Sequence, residues 1–113
     1  MLIHFQCLDL SQKAELASHF ERRAAFALDR FRPRIRHLRL RVWDDNGPKG
    51  GIDKRCHLAV ELDRGPHLHF DDADRDARLV IDRVLDRAAR GLARLAERWK
   101  TFGDRIPAGG AAS

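Results

Sequence analysis

The chain has 113 residues, a length that suits one domain with one modest core and not two. Its 43% hydrophobic and 35% charged residues describe a folded domain with a heavily ionised surface, neither disordered nor embedded in a membrane. A net charge of +5 favours an anionic partner such as nucleic acid, although a GC-rich genome alone would also enrich Arg, Ala and Asp. The placement of the charges therefore carries more weight than their number.

The opening "LIHFQC" alternates, with Ile3, Phe5 and Cys7 on one face and Leu2, His4 and Gln6 on the other, and predicts a first strand. It has no basic leader, and Asp9 interrupts it before a signal-like apolar stretch is complete, which places the chain in the cytoplasm. Ser11 is a candidate helix cap. From about Gln12 to Phe31, the three- and four-residue spacing of Leu16, Phe20, Ala24, Ala27 and Phe31 predicts a helix that "RFRPR" ends at Pro33.

"IRHLRLRVW" alternates again, with Leu38, Leu40 and Val42 inward and His37, Arg39, Arg41 and Trp43 outward. A polar connector, "DDNGPKGGIDKRC", leads to a third strand with Cys56, Leu58, Val60 and Leu62 inward. "PHLHF" then supplies a fourth with Leu68 and Phe70 inward. Matching those faces sets Leu62 opposite Pro66, with Asp63, Arg64 and Gly65 as a three-residue hairpin loop in which Gly65 takes a positive φ. "FDDADRDA" offers caps and an acidic first turn for a second helix reaching about Lys100, with Ile81, Val84, Leu85, Ala88, Leu92, Leu95 and Trp99 on its apolar face.

The order βαβββα, with one apolar face per element, predicts an α+β two-layer sandwich. It has a four-stranded mixed sheet and two helices packed on one face, joined by a right-handed crossover from the first strand to the second. The opposite sheet face is left open. One domain covers residues 1–102, and the aperiodic end, 103–113, reads as a disordered tail.

On the second helix Arg83, Arg87, Arg90, Arg94 and Arg98 recur every three or four residues, forming a stripe roughly opposite the apolar face, flanked by Asp82, Asp86 and Glu97. The first helix adds His19, Arg22, Arg23 and Arg30 on a face beside its apolar one. Phe26 on that face reads as packing against the second helix, with base stacking the alternative. Two basic helices side by side would form one patch, and arginine's planar fork suits phosphate oxygens. A solvated face of ion pairs is the plain alternative. Helix-turn-helix, zinc-finger and basic-zipper patterns are absent; the β-β-β-α portion loosely resembles a double-stranded RNA-binding domain, which favours RNA.

The loop "DDNGPKGGIDKRC" followed by "HLAVEL" resembles the ribosome hibernation-promoting factor family, also called ribosome-associated inhibitors or subunit interface proteins. "ALDRF", "IRHLRLRV", the hairpin glycine and proline, and "VIDRVLDRAARGLARL" extend the likeness over roughly Ile3 to Trp99. The resemblance implies a non-enzymatic protein that binds small-subunit ribosomal RNA in the channel used by messenger and transfer RNA. Such a protein holds ribosomes inactive in stationary phase or stress and is a monomer off the ribosome, without cofactor or small-molecule substrate. Carried over position by position, Arg23 stands at a basic position of the first helix, Arg87, Arg90 and Arg94 at basic positions of the second, and Lys54 and Arg55 at the basic pair of the loop motif. Phe26 departs from members with a basic residue there. In the loop, Gly47, Gly50 and Gly51 would permit close approach to RNA, and Lys49, Lys54 and Arg55 would meet phosphate. The C-terminal dimerisation domain of long-form members is expected to be absent, making this a short form.

Three alternatives remain. The outward histidines His4, His37, His57, His67 and His69 could form a metal-binding or pH-sensing module, although they lack sequence-local ligand spacing. A generic RNA- or DNA-binding protein would share the basic charge. An enzyme has less support: no nucleophile elbow or phosphate-cradling loop before a helix is present, and His19 has no obvious acid partner in the sequence. Cys7 and Cys56 lack C-x-x-C spacing and read as small buried hydrophobes.

Overall fold

The computed structural model describes residues 1–8, 12–44 and 54–100, and the helical backbone onward to Arg105. The described chain runs through β1 (Leu2–Leu8), α1 (Lys13–Ala27), a 3-10 helix (Asp29–Arg34), β2 (Ile35–Asp44), β3 (Lys54–Leu62), β4 (Leu68–Asp74) and α2 (Ala77–Arg105). The four strands form one mixed sheet in the order β1-β2-β3-β4. β1 and β2 are parallel, joined through α1, and the remaining neighbours are antiparallel. This is the α+β architecture that the alternation and helical periods predict.

Register follows the apolar alternation. Phe5, Leu40, Leu58 and Phe70 align across the sheet, as do Cys7, Val42, Cys56 and Asp72. Against this inner face pack Leu16, Phe20 and Ala24 of α1 and Val80, Ile81, Val84, Leu85, Ala88 and Leu92 of α2, all buried. A single core therefore lies between the sheet and one layer of helices. Val60 pairs with Leu68, which fits Leu62 facing Pro66, and Gly65 turns the hairpin at φ +94°.

Three local details differ from the sequence reading. First, α1 ends at Ala27 and a 3-10 helix carries the chain to Arg34 with Pro33 inside it, so Leu28 and not Ala27 is fully buried. The tighter turn avoids the clash that Pro33 would make with the preceding turn of an α-helix. Second, the β2–β3 register shifts between Ile35 and His37, a bulge at Arg36 that lets Ile35 and Leu38 both face the core.

Third, β4 runs on to Asp74, so the acidic stretch belongs mostly to the strand and the first turn of α2 holds no acidic residue. Asp76 caps that helix, its Oδ1 accepting from the backbone N–H of Arg78 at 2.9 Å and of Leu79 at 3.4 Å. At its other end α2 passes the expected stop near Lys100 and the expected domain boundary at 102. The Ser11 cap and the tail beyond Arg105 lie outside the described residues.

Candidate nucleic-acid interface

The arginines of α2 divide into two groups. Arg83 reaches the end of β4: its Nε donates to Asp72 Oδ2 at 2.7 Å, Nη2 to Asp72 Oδ1 at 3.0 Å and to the Ala73 carbonyl at 3.1 Å, and Nη1 to Asp74 Oδ2 at 3.1 Å. Arg87 Nη1 donates to the Asp71 carbonyl at 2.7 Å, and its guanidinium lies 5.7 Å from the centre of the Phe70 ring. Both side chains thus occupy carbonyls of an edge strand, a position where unpaired backbone groups invite association.

The electrostatics follow this geometry. The Arg83 guanidinium holds the Asp72 carboxyl below the ordinary carboxylate range, and Asp72 in turn raises Arg83. Asp74 is lowered chiefly by the backbone N–H groups of Arg75 and Asp76, with Arg83 contributing less.

Arg90, Arg94 and Arg98 are exposed and make no ion pair with the described residues. Arg94 and Arg98, with Glu97 between them, line a groove of about 550 Å³ between α2 and β4, floored by Leu68, Phe70, Gly91 and Leu95. The stripe therefore runs along the flank of α2 that overhangs β4, and not squarely opposite the apolar face. Within it only the C-terminal three arginines present unpartnered forks among the described residues.

The α1 residues occupy another flank. Asp82 sits at the junction of the helices, where its Oδ1 contacts His19 Nε2 at 2.8 Å and Arg23 Nε at 3.4 Å. His19 thus has an acid partner that the sequence does not reveal, and Asp82 pairs across to α1 rather than along its own helix. With a carboxylate at the seam, the two helices do not merge their basic residues into the single patch that the sequence suggests. Arg22 donates to Ser18 Oγ at 3.0 Å, and Arg30 lies 4.7 Å from the centre of the Phe31 ring.

Phe26 is 79% exposed and so does not pack against α2; Arg23 lies 5.8 Å from its ring centre. The loop's Lys49, with Gly47, Gly50 and Gly51, lies outside the described residues. Lys54 and Arg55, neighbours in sequence, separate by strand alternation. Lys54 turns to the helix side, 3.5 Å from Asp44 Oδ2, while Arg55 lies on the open face between Trp43 and Ala73.

On that open face the histidines pair directly: His4 Nε2 lies 2.9 Å from His37 Nδ1, and His57 Nε2 lies 3.2 Å from His69 Nδ1. Among the described residues no group of three His, Cys, Asp or Glu is placed to hold a metal ion. No helix of the described residues is long and apolar enough to cross a membrane.

Solved structures share this arrangement. The N-terminal domain of Thermus thermophilus Protein Y matches with a TM-score of 0.64 at 23% identity, over 84% of this chain and 99% of that one. A ribosomal subunit interface protein from Coxiella burnetii matches with a TM-score of 0.68 at 15% identity, over 86% and 99%. The chain has their fold. No family model and no curated protein matches the sequence. The two structures bear out the fold that the resemblance implies.

Proposed function

We propose that this protein is a member of the ribosome hibernation-promoting factor family: a cytoplasmic, non-enzymatic translation inhibitor that binds the small ribosomal subunit. It would seat in the messenger and transfer RNA channel and hold ribosomes idle in stationary phase or stress. The observation that carries this reading is the fold shared, over nearly the full length of the matched domains, with Protein Y and a ribosomal subunit interface protein. Net charge supports it, since ribosomal RNA offers a dense array of phosphates to a chain of charge +5.

In this reading Arg90, Arg94 and Arg98 make the principal phosphate contacts, because each combines exposure with a guanidinium fork that no described partner occupies. Arg22, Arg23 and Arg30 extend contact along the α1 flank, Lys54 and Arg55 act at the start of β3, and Lys49 of the connector adds a further phosphate contact. Arg83 and Arg87 contribute field, while their hydrogen bonds hold the edge of β4.

Co-sedimentation with separated ribosomal subunits tests the reading. The protein is expected to migrate with the small subunit at low salt and to lose affinity by orders of magnitude toward physiological salt if roughly six or more phosphates are engaged. Absence from every ribosomal fraction at low salt overturns it.

A further inference from the structure

The two edges of the sheet differ. Along β4, Arg83 and Arg87 take the Ala73 and Asp71 carbonyls. Among the described residues no hydrogen bond reaches the outer backbone edge of β1. In a chain that is 35% charged, the seven residues of β1, LIHFQCL, include no Asp, Glu, Lys or Arg. Leu2 is 60% and Leu8 40% exposed on the open face of the sheet. Edge strands are ordinarily blunted by charge, proline or cover, and a long uncharged one is a template for pairing.

The sequence of β1 is matched to itself. Outward from Phe5, His4 balances Gln6, Ile3 balances Cys7 and Leu2 balances Leu8. About a two-fold axis at Phe5, two copies of β1 run antiparallel with Leu2 opposite Leu8, so the exposed leucines cover one another, and with Ile3 opposite Cys7 on the helix side. The backbone is set for the same axis. The Ala73 N–H donates to Asp72 Oδ1 and the Asp71 and Ala73 carbonyls accept from arginine, so the odd-numbered residues of β4 face its free edge. Backbone direction alternates along each strand; carried through the register from β4 to β1, it turns the N–H and C=O of Ile3, Phe5 and Cys7 outward. About the Phe5 axis each of these groups meets its counterpart.

Helix α1 repeats the symmetry. His19 and Arg23 turn to Asp82 of α2, and the opposite flank of α1 carries Lys13, Ala17 and Glu21 at four-residue steps, with both charged residues exposed. Burial raises the Cys7 thiol and the Lys13 charge opposes it, which sets Lys13 near Cys7. The Phe20 ring centre lies 6.0 Å from that of Phe5. Because α1 runs back along β1 to reach the parallel strand β2, Glu21 falls toward Ile3. The axis that brings Ile3 to Cys7 therefore brings Glu21 to Lys13, with the small Ala17 where the two helices approach.

We propose that β1 pairs with a second copy of this chain, as an antiparallel two-fold dimer centred on Phe5 that joins two four-stranded sheets into one. Side chains, backbone and helix charge each fit their own image, which favours a second copy over an unrelated strand. An uncharged edge offers nothing to nucleic acid. None of these residues is among those assigned to RNA, and the α2 flank over β4 stays open at the far edge of the joined sheet. The proposal therefore stands apart from the ribosome reading, and it replaces the monomer that the resemblance implies by an equilibrium between one copy and two.

Sedimentation equilibrium of the full chain from micromolar to millimolar concentration tests it. The mass is expected to rise with concentration from 13.0 kDa to twice that value and no further. Leu2→Lys with Leu8→Lys sets like charges opposite one another at exposed positions, and is expected to hold the chain at 13.0 kDa with its circular dichroism spectrum retained. Glu21→Lys is expected to weaken the dimer about ten-fold, and Lys13→Glu added to it to restore the affinity to within about two-fold. Cross-linking reads the register. With Leu2→Cys and Leu8→Cys together, a mild oxidant is expected to give a covalent dimer; either change alone is not, because each position lies far from its own copy across the axis. A mass that stays at 13.0 kDa throughout, one that passes twice that value, or a dimer that persists with both lysines in place overturns the proposal. So does a Glu21→Lys loss that Lys13→Glu fails to restore, a covalent dimer that forms as readily with one cysteine change as with both, or none with both.

Discussion

Arg83 and Asp72 meet through two parallel hydrogen bonds, Nε to Oδ2 at 2.7 Å and Nη2 to Oδ1 at 3.0 Å, joining the first half of α2 to the end of the edge strand β4. Two-point bridges of this kind are the strong form of a charge-assisted contact, and this one also brings Nη2 onto the Ala73 carbonyl. The first arginine of the basic stripe is thereby committed to the fold.

Replacing Arg83 with Ala should lower the melting temperature at neutral pH by a few degrees. The pH dependence has a definite sign. The Asp72 carboxyl is held below its usual range, so its contribution is present above the unfolded value near ~3.9 and is lost as pH falls through the lower folded value. Thermal melts of the two proteins should therefore differ at neutral pH and converge in strong acid. A difference that persists unchanged would mean that the bridge is not its source.

Core truncations should rank by burial. Leu92 and Phe20 are fully buried, and Leu92→Ala should cost about 2–5 kcal/mol and Phe20→Ala about 3–5 kcal/mol in denaturant unfolding. Trp99 is only partly buried, covered on one side by the Arg34 guanidinium 4.0 Å from its ring centre, and Trp99→Ala should cost less than Phe20→Ala. The reverse order would mean that the end of α2 packs more tightly than described.

Two glycines should respond in opposite directions. Gly65 sits at φ +94°, so Gly65→Ala should destabilise by about 1 kcal/mol through backbone strain alone, since no atom lies near its added methyl. Gly91 is inside α2, where an added Cβ would stand 3.4 Å from Phe70 Cζ, an ordinary contact. Gly91→Ala should stabilise by about 0.5–1 kcal/mol from helix propensity. Equal signs in unfolding experiments would contradict the assigned backbone at one of the two sites.

Both thiols should resist modification in the folded protein. Burial, aided by the neighbouring Asp72 charge, pushes the Cys56 thiol up to about 12, and burial also raises Cys7. At about pH 8 a chromogenic disulfide reagent should titrate neither at an appreciable rate until denaturant is added, with Cys7 the faster of the two. Immediate reaction of Cys56 would place it outside the core.

The parts of this fold legible in the sequence are those governed by local period. Leu38, Leu40 and Val42 face inward because a strand alternates, and the register of Val60 with Leu68 follows from matching two alternating runs across Gly65. The bulge at Arg36 was not legible, because alternation assumes an unbroken ladder. Neither was the end of β4, where Asp72 and Asp74 resemble helix-cap residues until the position of Arg83 is known. His19 and Asp82 are 63 positions apart in sequence and meet only through helix packing. Phe26, on the basic face beside the apolar one, reads as packing against α2 because it is a large aromatic, yet it is exposed.

For the candidate interface, the period of Arg83, Arg87, Arg90, Arg94 and Arg98 correctly set them on one stripe. What a period cannot give is the partner on the neighbouring strand, which separates Arg83 and Arg87 from the three arginines beyond them.

That separation makes the deciding measurement specific. The chain with Arg90, Arg94 and Arg98 all changed to Glu, compared with the unmodified chain, should be sedimented with purified small ribosomal subunits at low salt, after circular dichroism has established that both are folded. We expect the unmodified protein to travel with the subunit and the reversed protein to remain at the top of the gradient. Equal migration of the two would contradict the assignment of ribosome binding to the α2 flank.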